Sequence, residues 1–159
     1  MAQRQGDLGE ASALEWLVSK GASVFVPFGH SPNCDLVAEI DGCLLRIQVK
    51  TSRCRKSGGY GVQLSTRGGN QSWSGVSKLF DQSRFDYLLV VINEGRRWCI
   101  PAREIAARHS IIVGGTKWAR FEVEPGRPLV DAPSSSSPRG LESVPAPGGA
   151  PELESRAGL

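Results

Sequence analysis

Apolar and polar residues alternate with a period of two on either side of an Asp41-Gly42 dipeptide. Cys34, Leu36, Ala38 and Ile40 precede it, and Cys43, Leu45, Ile47 and Val49 follow it. Asp35, Val37, Glu39, Leu44, Arg46, Gln48 and Lys50 fill the alternate positions. The pattern predicts two half-buried strands, 34–40 and 43–51, and Asp-Gly between such runs predicts a type I′ hairpin. With Asp41 and Gly42 as the loop, Ile40 opposes Cys43. Val37 then opposes Arg46, Asp35 opposes Gln48 and Asn33 opposes Lys50, and opposed residues share a face. One face is therefore apolar and belongs to a core, while the other gathers Asn33, Asp35, Gln48 and Lys50 at its open end.

Around the hairpin the pattern predicts a first helix over roughly 4–20, ended by Gly21. Taking Ala11, Leu14, Leu17 and Val18 as its apolar stripe turns Glu10 toward the sheet and leaves Glu15 at the water's edge. Asp7, near the helix start, is either a second inward carboxylate or a cap. Strands are expected at 23–27, 60–65, 86–92, 98–100, 110–113 and 120–123. A short helix is expected near 76–82, and a longer one over 101–108 with Pro101 at its first position. Strands in a row between helices predict a mixed α/β class with a central sheet flanked by helices.

Composition divides the chain of 159 residues into a body, 1–130, and a tail, 131–159. The tail holds Pro133, Pro138, Pro145, Pro147 and Pro151, a serine run at 134–137 and no aromatic residue, so it is expected to be disordered. The body carries 17 basic against 12 acidic residues, a balance that suits a polyanionic partner. No stretch approaches the roughly 18 consecutive apolar residues of a membrane-spanning helix. The first residues lack the apolar segment of a secretory signal, and a cytoplasmic protein without a membrane partner is expected. Cys34, Cys43, Cys54 and Cys99 have no metal-ligand spacing and are expected to be buried free thiols.

A carboxylate, a carboxamide and an ammonium gathered at one end of a hairpin can hold a divalent cation and a phosphate. The same polar face could equally be only the solvent side of an amphipathic hairpin. The inward carboxylate of Glu10, which needs a partner such as a metal or a lysine, argues for a site. Gly6-x3-Glu10 on a first helix, then Asp35, then Gln48-Val49-Lys50-Thr51 on a hairpin, resembles the PD-(D/E)XK nuclease core in residues, order and spacing. The likeness covers about residues 3–108. It is nearest to the small group that includes group I intron homing endonucleases, in which the second acidic position is also Gln. Phe85-Asp-Tyr-Leu-Leu-Val-Val and Trp98-Cys-Ile-Pro-Ala-Arg-Glu-Ile resemble that group as well.

The resemblance implies a restriction-endonuclease-like core and a Mg2+-dependent DNA endonuclease, with Mn2+ able to substitute. Asp35 would be a direct metal ligand. Glu10, Gln48 and the Val49 carbonyl would complete the set, and Lys50 would orient the attacking water and stabilise the phosphorane-like transition state. Gln48 removes one negative charge, which implies weaker metal binding and leaves open a catalytically inactive DNA-binding module. A structure-selective nuclease of the Holliday-junction-resolvase type is the other alternative. Cutting both strands of a duplex needs two active sites or two visits, so a homodimer or higher assembly is expected.

Several basic and polar residues are candidates for DNA contact. Ser31 lies in the loop before Asp35, where resolvases place a serine; His30 beside it is a solvated loop residue or a general base. Arg53, Arg55 and Lys56 continue past Lys50 toward Gly58-Gly59 and suit backbone phosphates. In the run Arg67-Gly-Gly-Asn70-Gln71-Ser-Trp73, Arg67 can meet phosphate, Asn70 and Gln71 can read base edges, and Trp73 can pack on the backbone or on another subunit. Equally, that run is a surface turn with a core-anchoring Trp. Arg96 and Arg97 are expected in a solvated turn, and Trp16, Trp98 and Trp118 in packing. His109 is taken as structural.

Overall fold

The computed structural model of the chain describes residues 2–29, 34–67 and 77–129. The tail 131–159 and its expected disorder lie outside them. Helix α1 is Ala2–Ser19. Eleven strands follow in chain order: β1 Ser23–Phe25, β2 Leu36–Ile40, β3 Cys43–Ser52, β4 Arg55–Lys56, β5 Gly59–Gln63, β6 Thr66–Arg67, β7 Ser77–Lys78, β8 Tyr87–Ile92, β9 Arg97–Pro101, β10 Ser110–Val113 and β11 Glu122–Val123. The main sheet has the order β1-β2-β3-β8-β9-β11, and β10-β5-β4 form a second, antiparallel sheet. Only β3 and β8 run parallel within the main sheet, so the sheet is mixed and the α/β class holds.

Within β2 and β3 the hairpin register is the expected one, but the ladder stops short of the expected Asp35–Gln48 pair, and Asn33 lies outside the described residues. Ile40 pairs with Cys43, Val37 with Arg46 and Leu36 with Ile47. Asp41 and Gly42 have φ of 51° and 76°, both in the left-handed region that a type I′ turn requires. Leu36, Ala38, Ile47 and Val49 are buried, whereas Ile40 and Leu45 are half-buried and Cys43 is exposed. The apolar face thus enters the core at its open end and emerges toward the turn.

Strand β8 sits between two apolar clusters. Leu89 and Val91 face α1 and pack with Ala13, Leu17, Ile47 and Val49. Leu88, Val90 and Ile92 face the second sheet and pack with Val62, Ile111, Val113, Trp98 and Ile100. A strand covered on both faces reads as a continuous apolar run, as Tyr87–Ile92 does. Trp98 and Trp118 are core residues, and Trp16 packs at the core's margin while its Nε1 donates to Glu124 at 2.9 Å.

Several expectations fail for physical reasons. The buried line of α1 is Gly9, Ala13 and Leu17, with Leu8, Ser12 and Trp16 beside it. Ala11, Leu14 and Val18 face outward. A Cβ on Gly9 would overlap Thr51 Cγ2, so the helix lies against β3 on its smallest side chains, the closest approach its sequence allows. Asp7 lies more than a turn inside the helix and is exposed, so it is not the cap.

Of the helix expected near 76–82, residue 76 lies outside the described residues and 77–82 form no α-helix. Ser77–Lys78 pair with β6, and Asp81 accepts from Ser83 N at 3.0 Å to cap a 3-10 turn at Gln82–Arg84. Such local side-chain bonds compete with helix propagation. Pro101 ends β9 opposite Tyr87 and precedes only a 3-10 turn, Ala102–Glu104. Residues three apart eclipse in that turn, which points both Ala102 and Ile105 into the core. Residues 116–121 form a 3-10 segment that buries Trp118, leaving only Glu122–Val123 as strand.

Arg97 is not solvated. It is 2% exposed and its guanidinium donates to Glu15, while Arg96 pairs with Glu122 at 2.7 and 2.9 Å and stacks on Trp98. Of the four thiols, Cys43 and Cys54 are exposed rather than buried.

Candidate active site

The paired run of β2 and β3 stops at Leu36, and the next residue back, Asp35, supplies a carboxylate where the ladder would have supplied a carbonyl. Asp35 N donates to Ile47 O at 2.9 Å, and its Oδ2 accepts from Val49 N at 2.7 Å. The Gln48 side-chain amide donates to the same Oδ2. Gln48 lies between the core residues Ile47 and Val49, so alternation along β3 turns it and Lys50 to the face away from α1. Asp35, Gln48 and Lys50 are all half-buried.

Glu10 joins them from the flank of α1. It is less squarely inward than the expected stripe implies, because the helix turns Gly9 and Ala13 to the sheet instead. It is still half-buried and close enough for Asp35 to act on its charge. Burial, then Asp35, then Asp7 raise the Glu10 carboxyl above its ordinary value. Burial also raises Asp35, against the opposing effects of the Val49 N–H and the Lys50 charge. Burial lowers Lys50, and Asp35 partly restores it.

These donors fit a hard divalent cation. Two carboxylates that burial holds back from ionising, an amide whose carbonyl oxygen is not consumed by the Asp35 bond, and a strand carbonyl form an all-oxygen set. Among the described residues, no three His, Cys, Asp or Glu side chains cluster tightly enough to hold a metal by themselves. A cation held here would therefore need the neutral oxygens of Gln48 and Val49 to complete its set. Sequence reasoning missed Gly9, whose lack of a side chain seats α1 on Thr51 and so positions Glu10. A glycine inside an otherwise helical run next to an acidic residue was the available signal.

The proposed DNA contacts divide into those the structure places and those it does not. Arg53 is exposed just beyond β3, and Lys56 is exposed on β4. Arg55, also exposed, donates to Glu94 at 3.1 Å and lies over the Tyr60 ring, whose hydroxyl donates to the same Glu94. Arg67 lies in β6, where only its backbone is described. Ser31, His30, Asn33, Asn70, Gln71 and Trp73 lie outside the described residues. His109 is exposed, and its backbone carbonyl accepts from Leu64 N at 2.8 Å.

Comparison with known proteins identifies the family and the fold. No match was found among curated proteins. A bacterial homing endonuclease, I-Ssp6803I, superimposes with a TM-score of 0.61 and 26% identity, over 70% of this chain and 77% of that one. The Holliday junction resolvase Hjc of Archaeoglobus fulgidus shares the fold, with a TM-score of 0.50 and 15% identity over 76% of this chain and 91% of its own. The family model described as PD-(D/E)XK endonuclease matches residues 1–113, a span that includes Glu10, Asp35, Gln48 and Lys50, and the chain is a member of that family.

Proposed function

We propose that the chain is a Mg2+-dependent endonuclease that hydrolyses phosphodiester bonds in double-stranded DNA, in the manner of a homing endonuclease. The observation that carries this reading is the convergence on Asp35: the Gln48 amide and the Val49 N–H hold its carboxylate, with Lys50 and Glu10 within electrostatic reach. Asp35, Glu10, Gln48 and the Val49 carbonyl would hold the cation. When bound, that cation supplies Lewis acidity at the phosphate and an acidified water. Lys50 then places a positive charge beside the phosphate oxygens, where negative charge develops in the transition state. Its half-buried stem fixes the ammonium in place, so little reorganisation is needed during reaction.

Arg53, Arg55 and Lys56 extend this cationic edge and contact backbone phosphates. Arg55 exchanges Glu94 for phosphate when DNA binds. Two copies of the chain act together to cut both strands. The test is cleavage of supercoiled plasmid and of a labelled four-way junction with Mg2+ or Mn2+, by the wild type and Lys50→Ala. Metal-dependent cutting of plasmid that Lys50→Ala abolishes is the expected result. Preferential cutting of the junction would make the chain a resolvase-type nuclease, and DNA binding without cutting would make it an inactive binding module.

A further inference from the structure

Among the described residues, the sheet face opposite α1 is covered over β8 and β9 by the second sheet but is open over β1, β2 and the first half of β3. Register places Phe25, Val37 and Arg46 in one cross-strand row on that open face. Gln48 lies two residues further along β3, on the same face and about 7 Å from Arg46. In the other direction stands Leu44, 65% exposed.

The chain leaves β1 at the active end of the sheet. Because Phe25 pairs with Val37, the residues that follow it run on past Leu36 toward Asp35. Phe25, Val26 and Phe28 are 52, 61 and 107% exposed, so an aromatic-rich apolar run stands in water beside a polar site. Neither core cluster uses Phe25 or Phe28.

We propose that Phe28 is a wedge that inserts between adjacent base pairs of the DNA held at Asp35 and Lys50, with Phe25 packing behind it. The inference rests on the nuclease reading above. Position points to the occupant: Phe25 shares the open face with Gln48 through the Phe25–Val37–Arg46 row, and the chain beyond it runs toward Asp35, so a duplex seated on Asp35, Gln48 and Lys50 is the macromolecule that reaches this run. A second protein copy seated there would close the site. A fully exposed aromatic ring gains most from a polyanion by entering the base stack, where it replaces lost base–base contact and the duplex kinks.

The experiment compares wild type, Phe28→Ala and Phe28→Trp for binding to a mixed-sequence duplex labelled with aminopurine at pyrimidine–purine steps, with Ca2+ as the cation. A matched duplex carrying a single-base bulge supplies a step that is already unstacked. Wild type and Phe28→Trp are expected to raise aminopurine fluorescence on binding. Phe28→Ala should lose that rise and bind the intact duplex about tenfold more weakly, yet bind the bulged duplex nearly as well as wild type. Equal affinity and equal fluorescence for wild type and Phe28→Ala would overturn the wedge. So would unchanged DNA binding together with a shift from dimer to monomer in sedimentation, which would make the patch a self-association face. Failure of the wild type to bind DNA at all would overturn the nuclease reading and the wedge with it. The two failures are distinct, since the first appears only between variants. Phe28 makes no core contact, so its truncation leaves the fold intact.

Discussion

The Gln48 side-chain amide donates a hydrogen bond to the Asp35 carboxylate, at the oxygen that also receives the Val49 N–H. A neutral donor here does what a second carboxylate could not do without a cation, because it attracts Asp35. The acid is thereby held in place in the metal-free chain. Gln48→Ala should lower metal-free stability by about 1–2 kcal/mol, the worth of a hydrogen bond to a charged acceptor at a half-buried position. Gln48→Glu should lower metal-free Tm as well, through like-charge repulsion, but gain more than the wild type on adding Mg2+. Thermal melts with EDTA and with Mg2+ check both. A Gln48→Glu chain whose Tm responds to Mg2+ no more than the wild type would show that residue 48 lies outside the cation's reach.

Glu10 gives a pH-dependent prediction. Burial, Asp35 and Asp7 raise its folded pKa. The stability it contributes is therefore full below the ordinary carboxylate value and is lost as pH rises through the raised one. At neutral pH without metal, Glu10→Gln should raise Tm. The gain should shrink toward zero below about pH 3.5, where the carboxyl is mostly protonated in both states. Melting curves over that range in EDTA measure it, and cleavage by Glu10→Gln should fall even though the chain is more stable.

Gly9→Ala sets helix propensity against packing. Alanine favours the helix by about 1 kcal/mol over glycine. The added methyl would overlap Thr51 Cγ2, and overpacking of this kind costs about 1–3 kcal/mol. The clash should win, giving a less stable chain with weakened cleavage, because α1 carries Glu10. Thr51→Ser removes the offending methyl and should rescue Gly9→Ala in a double-mutant cycle. Additive effects would mean that α1 does not rest on Thr51.

The thiols should separate by reactivity. Burial pushes Cys99 up to about 11, so it stays protonated and unreactive at mildly alkaline pH, while Cys43 and Cys54 are exposed. Alkylation followed by mass spectrometry should label Cys43 and Cys54 first and Cys99 only on unfolding. The unfolded thiol ionises at lower pH than the folded one. Cys99 therefore draws stability away as pH climbs from about 9 toward 11, and Cys99→Ser should weaken that alkaline loss.

Short-range chemistry decided the hairpin. Asp41 and Gly42 accept positive φ, their turn sets the register, and strict alternation then puts Gln48 and Lys50 on one face and Ile47 and Val49 on the other. These relationships involve neighbours in sequence, and so they were legible without a fold. Asp35 and Lys50 as candidates follow from the same geometry.

Other features depend on what arrives from far along the chain. The apolar count favoured Leu14 and Val18 as the buried side of α1. The helix instead packs through Gly9 and Ala13, because closeness to β3 is worth more than the extra methylenes. Arg97 looked like a surface residue until Glu15, eighty-two positions earlier, supplied its ion pair. Pro101 looked like a helix start, yet pairing with Tyr87 and the burial of Ile105 hold its neighbourhood to one 3-10 turn. The sequence by itself determined which groups lie on each side of the hairpin. Only the tertiary structure decided how Glu10 meets them, because that depends on the side chains that let a distant helix approach.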